Sequence, residues 1–333
     1  MKDIRNYSLK EHNTFGIEAR CKRYIEYINV EEAKEAARIL REERQPFLII
    51  GAGSNLLLTG DFDGTVVRSA LQLTDFDEKR LFCGSGVVWD DFVEHCLQYK
   101  FYGAENLSLI PGDVGAVAVQ NIGAYGVEAK DIIERVWAVE IATGELKLFS
   151  REECEYAYRW SKFKGAWRNK YLITQVDFQL SREFRPHLEY GNIRQELERR
   201  NITSPSPEQL RQVIIDIRRA KLPDPKELGN AGSFFMNPVV SRAKYEELAA
   251  RYDNMPHYYL DEEHEKIPAG WMIEQCGWRG RSLGQAAVYD RQALVLVNKG
   301  GATGQDILRL CHAIQHDVND KFGIDLQPEV NIV

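Results

Sequence analysis

The chain has 333 residues, of which 44% are hydrophobic and 11% aromatic, and its formal net charge is −7. This length and composition allow roughly two or three domains with apolar cores. The acidic balance argues against broad nucleic-acid binding, because proteins that neutralise several phosphates normally have a basic surplus or a basic block. The cysteines form no CxxC pair and no zinc-site spacing, which favours a reducing cytoplasm. Because the N-terminal residues lack the apolar core of a secretory signal and no apolar run is long enough to cross a bilayer, no membrane partner is expected.

The first predicted unit consists of a strand, a helix and a strand. Apolar strands are predicted at 23–28 and 46–50, and alanines and a leucine at helical spacing predict a helix at 31–44. Short strands and a helix in WDDFVEHCLQYK (89–100) follow. These patterns indicate a small βαβ unit and the beginning of a mixed α+β region.

The turn GAGSN (51–55) follows the second of these strands. It contains only GxG and no helix pattern follows it, so it is a weak dinucleotide-binding fingerprint. Gly51 and Gly53 nevertheless expose backbone N–H groups, and Ser54 and Asn55 add side-chain donors. Such a turn could hold a phosphate, and an ordinary strand-to-loop turn is an equally good interpretation.

The segment PGDVGAVAVQNIGAYG (111–126), here called the glycine-rich loop, is almost uncharged and has no clear period. The pattern predicts a loop with a helical turn inside it. Long loops in compact domains tend to be functional or disordered, and this one is too apolar for disorder. Its donors would suit a pyrophosphate and a flat aromatic ring. The candidate donors are Gly112, Gly115, Gln120, Asn121, Gly123, Tyr125 and Gly126. The alternative is a structural turn that packs two strands.

The rest of the chain predicts a β-hairpin, a strand at 170–180, and a helix at 208–222 that leads into a C-terminal domain. In that domain GSFFMNP (232–238) is predicted to be a strand. The final helix is predicted to begin at Thr303, which has the spacing of a capping box with Asp306.

Three further positions are candidates for chemistry. Ser233 lies between small residues, which allow close approach, and two phenylalanines, which require burial; the alternative is a hydroxyl that bonds only backbone. Arg159 lies between aromatic residues and could bind a carboxylate as a fork, or stack on a tyrosine at the surface. Glu329 lies in the uncharged QPEVNIV, where burial would raise its pKa; the alternative is a strand-edge glutamate in water.

Two charged or metal-like patterns have simpler interpretations. His312 and His316 have the spacing of a metal pair, but HAIQH lacks the glutamate of HExxH, and both residues lie off the apolar stripe of the final helix. They are expected on a solvated face, and no metal is predicted. The run DEEHEK (261–266) is likewise predicted to be a solvated loop.

Six motifs occur in the following order along the chain: NTFGI (13–17), GAGSN (51–55), IPGDVGAVAVQNIGAYG (110–126), YRWSKFK (158–164), GNAGSFFMNP (229–238) and PEV (328–330). In combination they resemble the UDP-N-acetylenolpyruvoylglucosamine reductases, which are FAD enzymes of peptidoglycan precursor synthesis. The resemblance covers essentially the whole chain. PHLEYGNI (186–193) also resembles the tyrosine-bearing loop of the first type of this family.

The resemblance implies an α+β fold, in which a two-part FAD-binding fold of the vanillyl-alcohol-oxidase/PCMH type precedes a C-terminal α+β substrate-binding domain. The implied boundaries are 1–70 for FAD-binding subdomain 1, completed by 323–333, then 71–207 for FAD-binding subdomain 2, 208–218 for a linker helix, and 219–322 for the substrate-binding domain.

The implied activity is the NADPH-dependent reduction of UDP-N-acetylglucosamine enolpyruvate to UDP-N-acetylmuramate, with hydride from flavin N5 and a proton from Ser233. Arg159 and Glu329 match the family residues that hold the substrate carboxylate. The expected protein is a cytoplasmic monomer without nucleic-acid or membrane partners. An FAD-dependent oxidase or 2-hydroxy-acid dehydrogenase on the same cofactor fold, and a non-catalytic sugar-nucleotide binding protein, are the alternatives.

The same resemblance implies the residues that contact the ligands. The FAD contacts are Gly51, Gly53, Ser54, Asn55, Pro111, Gly112, Gln120, Asn121, Gly123, Ala124, Tyr125, Gly126 and Arg218. The substrate contacts are Tyr190, Lys221, Asn237, Tyr258 and Gln292. One residue departs from the family pattern, since Met236 occupies a position that is often basic. This leaves Lys221 as the candidate counter-charge for the substrate phosphates.

Overall fold

The computed structural model describes residues 1–333, which group into two compact units. Unit 1 contains Met1–Tyr7, Arg20–Ala52 and Phe62–Arg219. Unit 2 contains Ser8–Ala19, Gly53–Asp61 and Ala220–Val333. All six cysteines are free. None of the helices combines the length and the apolar character that a membrane span requires.

The first sheet of unit 1 has the strand order β1-β2-β5-β3. Its strands are β1 (Lys2–Ser8), β2 (Arg20–Tyr27), β3 (Phe47–Ile50) and β5 (Phe62–Ser69). β2 and β3 each pair in parallel with β5, and helix α1 (Val30–Glu43) makes the crossover that parallel strands need. The predicted βαβ unit is confirmed, and β1 was not predicted.

The second sheet of unit 1 is antiparallel and has the order β11-β10-β12-β7-β6. Its strands are β6 (Thr74–Phe76), β7 (Arg80–Gly84), β10 (Ile133–Glu140), β11 (Leu146–Ser150) and β12 (Tyr171–Gln179). A short hairpin at the end of the glycine-rich loop consists of β8 (Gly123–Ala124) and β9 (Val127–Glu128). The other helices before residue 222 are α2 (Trp89–Gln98), α3 (Val114–Gln120), α4 (Ile193–Arg199) and α5 (Pro207–Lys221).

Three predicted elements are confirmed in this part of the chain: the hairpin, which is β10–β11, the strand at 170–180, which is β12, and the helix at 208–222, which is α5.

Unit 2 contains two small antiparallel sheets, with the orders β13-β19-β18-β17 and β14-β16-β15. The strands are β13 (Gly229–Ser233), β14 (Val239–Ser241), β15 (Tyr258–Tyr259), β16 (His264–Lys266), β17 (Ser282–Leu283), β18 (Ala286–Val288) and β19 (Val295–Asn298). The C-terminal strand β20 (Asn331–Ile332) pairs in parallel with β4 (Leu56–Leu57). The helices are α6 (Arg242–Ala249), α7 (Ala269–Gln275) and α8 (Gly304–Phe322).

Helix α8 begins with the predicted capping box. The Thr303 hydroxyl accepts the N–H of Asp306 at 3.2 Å, and the Asp306 carboxylate accepts the N–H of Thr303 at 2.8 Å. The helix ends at Gly323, whose φ of 64° is the left-handed conformation that glycine adopts without cost. The buried stripe is the predicted one, Ile307, Leu310, Ile314 and Val318. Its two histidines are exposed, as predicted.

The predicted strand across GSFFMNP is shorter than expected. β13 ends at Ser233, and a register irregularity between Asn230 and Ser233 interrupts its pairing with β19. Gly232 has a φ of 71°, which bends the chain out of the extended conformation. The two phenylalanines that follow are fully buried without belonging to a regular strand.

The prediction of a solvated loop at DEEHEK is wrong for its C-terminal half. Glu265 lies on β16, the central strand of its sheet, and is only 2% exposed. One of its carboxylate oxygens lies 2.9 Å from Nδ1 of His257. A hydrogen-bonding partner reduces the penalty for burying the carboxylate, and charge density along the sequence does not reveal that partner.

Candidate active site

The glycine-rich loop of unit 1 contains the predicted helical turn, α3, and the short strand β8 follows it. Positive φ angles occur at Gly112 (137°), Asn121 (47°), Tyr125 (49°) and Gly126 (80°). Asn121 is fully buried, and its side chain donates to the C=O of Ala157 at 2.8 Å. Positive φ in non-glycine residues persists only where the surrounding structure holds it. The backbone conformation of this loop is therefore fixed by its contacts within the protein.

The turn after β3 lies against the start of α3. A Cβ atom on Gly51 would lie 3.2 Å from the Cβ of Ala116 and 3.4 Å from Oδ2 of Asp113. Glycine therefore allows the turn and the glycine-rich loop to approach within unit 1.

One buried side-chain nitrogen of an arginine in unit 1 has no hydrogen-bond acceptor in the protein. Nε of Arg218 is inaccessible to solvent and makes no hydrogen bond. Burial lowers the pKa of Arg218, while Tyr125 and Asp90 oppose that shift. A buried donor without an acceptor is costly, and an anionic ligand beside it would remove that cost. The residues present therefore fit a phosphate-containing cofactor.

Arg159 lies beside the glycine-rich loop. Its Nη2 donates to the C=O of Gly123 at 2.8 Å, and its own C=O accepts a hydrogen bond from Nζ of Lys164 at 3.0 Å. The guanidinium also lies 5.2 Å from the ring centre of Tyr158, so the stacking arrangement considered from the sequence is present as well. The residue has a φ of 52°. The backbone and the side chain of Arg159 are thus both held in place.

Asp113, which sequence reasoning did not identify, belongs to a buried polar network. Its side chain is 2% exposed, with Oδ2 3.4 Å from Nη2 of Arg68 and Oδ1 without a partner. Arg68 also contacts Glu26 at 3.1 Å. Burial raises the pKa of Asp113 to about 6, and the charge of Arg68 opposes this shift. The only signal in the sequence was one acidic residue in an otherwise uncharged loop.

The raised pKa of Asp113 makes stability depend on pH. Between about pH 4 and 6 the folded protein keeps a proton that the unfolded chain has lost, so this carboxyl's contribution to stability falls as pH rises through that window. The difference in unfolding free energy between Asp113→Asn and the wild type is therefore expected to shift in favour of the variant as pH rises from 4 to 7.5. The expected shift is on the order of 2 kcal/mol. Urea unfolding of both proteins at the two pH values measures this shift. Asp63→Asn, at an 83% exposed side chain, is the control. Parallel pH profiles for wild type and Asp113→Asn would contradict the assignment.

Ser233 lies exposed at the end of β13 in unit 2. The preceding bend is held by Asn230, whose Oδ1 accepts the N–H of Gly232 at 2.9 Å and whose Nδ2 donates to the C=O of Leu228 at 2.8 Å. The N–H of Asn230 donates to the C=O of Thr14 at 3.0 Å. A buried amide therefore fixes the backbone from which the serine projects.

Ser233 and Glu329 lie on neighbouring chain segments, although almost a hundred residues separate them in sequence. The N–H of Glu329 donates to the C=O of Phe234, the residue after the serine, at 2.8 Å. Nδ2 of Asn55 donates to the C=O of Glu329 at 3.2 Å. Unit 2 thus brings together the serine, the glutamate and the end of the GAGSN turn.

Gly53 can only be a glycine. Its φ is 71°, and a Cβ atom there would overlap the carbonyl oxygen of His12. The C=O of Gly53 accepts the N–H of Thr14 at 3.2 Å. The NTFGI and GAGSN motifs are therefore in contact within unit 2, because the glycine lets their backbones approach.

The predicted site residues divide between the two units. Unit 1 contains Arg159, Tyr190 and the FAD contacts Gly51, Pro111, Gly112, Gln120, Asn121, Gly123, Ala124, Tyr125, Gly126 and Arg218. Unit 2 contains Ser233, Glu329, Gly53, Ser54, Asn55, Lys221, Asn237, Tyr258 and Gln292.

The predicted substrate contacts have different surroundings. Lys221 is exposed at the end of α5 and forms no ion pair, while Tyr258 and Tyr190 are exposed. Oδ1 of Asn237 accepts the N–H of the first residue of α7 at 2.9 Å, and Oε1 of Gln292 accepts a backbone N–H two residues later at 3.3 Å. The two amides are held by hydrogen bonds within the fold, and the lysine and the two tyrosines have exposed side chains.

Two family models match this chain. Residues 22–150 match the family model described as an FAD binding domain. Residues 224–333 match the model described as the C-terminal domain of UDP-N-acetylenolpyruvoylglucosamine reductase. The protein is thus a flavoprotein with an FAD-binding domain and a second, C-terminal domain.

Relatives with assigned names identify the family. A UDP-N-acetylenolpyruvoylglucosamine reductase of Bacteroides fragilis (strain YCH46) is 50% identical over 332 residues, covering 98% of this chain and 99% of that protein. A protein of the same name from Burkholderia multivorans is 44% identical over 97% of this chain and 95% of its own. The chain belongs to the UDP-N-acetylenolpyruvoylglucosamine reductase family.

A solved structure supports the fold. The crystal structure of the UDP-N-acetylenolpyruvylglucosamine reductase from Thermus caldophilus matches with a TM-score of 0.69 at 21% identity, covering 99% of this chain and 98% of that one. At this identity the match bears on the fold alone. The predicted α+β fold, an FAD-binding part followed by a C-terminal domain, is confirmed.

Proposed function

We propose that the protein reduces UDP-N-acetylglucosamine enolpyruvate to UDP-N-acetylmuramate in peptidoglycan precursor synthesis, with FAD as cofactor and NADPH as reductant. The membership of the family and the FAD-binding domain support this activity. The structural observation that supports it best is the backbone hydrogen bond that places Glu329 beside the segment bearing Ser233. When bound, FAD supplies hydride transfer, from NADPH and then to the enolpyruvyl group.

Ser233 is the proposed proton donor. Hydride addition at the terminal carbon leaves negative charge on the rest of the enolpyruvyl group, so the other carbon becomes a strong base. A positioned hydroxyl can then donate a proton, although it is a weak acid in water. The exposed end of β13 and the fixed bend at Gly232 support this role, because they hold the hydroxyl where a ligand can reach it.

Arg159 and Glu329 are the proposed groups that stabilise the substrate carboxylate. Electrons move toward this carboxylate as hydride adds, so donors directed at it bind the transition state more strongly than the substrate. Arg159 supplies a fixed cation, and Glu329 in its protonated form supplies a hydrogen-bond donor. The hydrogen bonds that hold the backbones of both residues support preorganisation of each.

The remaining assignments belong to the same proposal. The glycine-rich loop, the GAGSN turn and Arg218 would hold FAD, since Arg218 has a buried donor without a protein acceptor. Tyr190, Lys221, Asn237, Tyr258 and Gln292 would hold the sugar nucleotide. The domain boundaries given from the sequence, a monomeric state and a cytoplasmic location are retained as predictions.

Anaerobic visible spectroscopy tests the proposed function. NADPH is expected to bleach the flavin band, and UDP-N-acetylglucosamine enolpyruvate is expected to restore it. A band that bleaches and is not restored would indicate another acceptor, such as the substrate of an oxidase or a 2-hydroxy-acid dehydrogenase. A protein that stays colourless after FAD is added would overturn the enzyme assignment.

Replacement of Lys221 tests the counter-charge for the substrate phosphates. We expect Lys221→Ala to raise the KM for the enolpyruvyl substrate by about 10-fold with little change in flavin content, because one charge-assisted contact is lost. Steady-state kinetics and the flavin absorbance measure the two quantities. Lys226→Ala, at another exposed lysine of unit 2, is the matched control. An unchanged KM in Lys221→Ala would remove this lysine from the site.

A further inference from the structure

A buried asparagine links two loops of unit 1. Asn106 is 2% exposed and lies on the short 3-10 turn Glu105–Leu107. Its Nδ2 donates to the C=O of Tyr125 in the glycine-rich loop at 2.8 Å and to the C=O of His187 at 3.0 Å. Both amide protons are used, one on each loop. An ionised aspartate of the same shape could make neither hydrogen bond, because it has no donor.

His187 belongs to residues 182–192, here called the tyrosine loop, which contain no helix and no strand. The loop includes Tyr190, and the side chain of Glu189 is 81% exposed. Leu188 packs on the apolar cluster of α4 and α5, as Tyr125 does. A segment without regular structure depends on such anchors for its order.

The two loops also contact each other directly. A Cβ atom on Gly126 would lie 3.3 Å from Cβ of Tyr190. A Cβ atom on Gly191 would lie 3.3 Å from Cδ1 of Tyr125. Each tyrosine therefore covers a glycine of the other loop, so a shift of one backbone displaces the other.

We infer that Asn106 is a positioning residue that makes the order of the tyrosine loop depend on the cofactor held by the glycine-rich loop. A cofactor that fixes the carbonyl of Tyr125 also fixes, through the Asn106 amide, the carbonyl of His187. Because coupling is reciprocal, loss of the Asn106 bonds weakens retention of the cofactor as well as order in the tyrosine loop. The inference rests on the proposed function for the ligand that each loop binds.

Limited digestion of the FAD-loaded protein with a glutamate-specific protease tests the link. We expect Asn106→Asp to be cleaved after Glu189 at least about tenfold faster than the wild type, because the carbonyls of Tyr125 and His187 both lose their donor. Release of flavin on dilution, followed by its fluorescence, is expected to accelerate by a similar factor. Cleavage after Glu152, whose side chain is 71% exposed outside both loops, is expected to stay unchanged.

Asn13→Asp is the matched control. Asn13 is 5% exposed, and its Nδ2 donates to the C=O groups of Leu9 and Ile17, both at 2.9 Å, within unit 2. The substitution also removes two hydrogen bonds from a buried amide to backbone carbonyls, without touching either loop. Cleavage after Glu189 is therefore expected to stay within about twofold of the wild type. Asn106→Ser, which is a shorter side chain without added charge, provides the same measurements if Asn106→Asp does not fold.

Cleavage after Glu189 and flavin release at wild-type rates in folded Asn106→Asp would overturn the inference. Equal acceleration after Glu189 and Glu152 would also overturn it, because that result means general loosening. These measurements need no substrate, so they are independent of the proposed reaction. A raised KM for the enolpyruvyl substrate with kcat within about threefold supports the positioning role. Faster cleavage with an unchanged KM would support the link and would count against Tyr190 as a substrate contact.

Discussion

Ser233→Ala is expected to leave the bleaching of the flavin band by NADPH intact and to slow the substrate-dependent return of the band by about 10³-fold. The factor lies in the upper part of the range for losing a placed general acid, and it corresponds to about 4 kcal/mol of activation free energy. The substitution removes only the hydroxyl. The backbone is expected to keep its conformation, because the hydrogen bond from the N–H of Gly232 to Oδ1 of Asn230 holds the preceding bend. Anaerobic stopped-flow measurements of the two half-reactions separate the effects.

Two variants sharpen this prediction. Ser282→Ala changes an exposed serine on β17 of the same sheet, and we expect it to leave both half-reactions unaffected. Ser233→Cys retains a dissociable proton, so it is expected to lose less than the alanine variant. Equal slowing of both half-reactions in Ser233→Ala would mean that the serine is structural.

Glu329→Ala is expected to lower the rate of substrate reduction by about 10²–10³-fold, again without affecting reduction of the flavin by NADPH. This is the usual cost of removing one preorganised donor from a developing negative charge. The N–H of residue 329, which donates to Phe234, remains in the variant, so the local pairing is expected to survive. Rapid-mixing kinetics of the second half-reaction give the effect.

Glu329→Gln distinguishes a glutamate that acts as a hydrogen-bond donor from one that acts through its negative charge. Glutamine keeps a hydrogen-bond donor, so this variant is expected to retain more activity than Glu329→Ala. Glu262→Ala, at an exposed glutamate of unit 2, is the matched control and is expected to behave as the wild type. If glutamine and alanine cause the same loss, a protonated Glu329 is not the donor.

Local patterns predicted most helices and most of the longer strands of this protein. Helix α8 shows why, because its capping box and apolar stripe are satisfied by residues three or four positions apart. The β10–β11 hairpin is similarly local. Predictions failed where sheet pairing or a backbone bend decided the outcome. Glu265 is buried because its strand is central in a sheet and His257 is within hydrogen-bonding distance, and β13 ends early because of the bend at Gly232.

The candidate site divides in the same way. The glycine-rich loop, Ser233 and Glu329 could be selected from composition and motifs, since close approach and isolated charge are visible in the sequence. Asp113 and Asn106 could not, because their importance comes from burial and from partners such as Arg68 and Tyr125. Asn106 belongs to no local pattern that distinguishes it from an ordinary loop residue, and Asp113 was marked only as the one acidic residue of the glycine-rich loop.

The sequence by itself determined the family, the cofactor class and the types of residue available for chemistry, because motifs and periodicity depend on neighbours along the chain. Only the tertiary structure decided which distant segments meet. It pairs the segment after Ser233 with Glu329, and it places the Asn106 amide between two loops. Such contacts depend on strand register, burial and hydrogen-bond partners across long separations, which local sequence cannot specify.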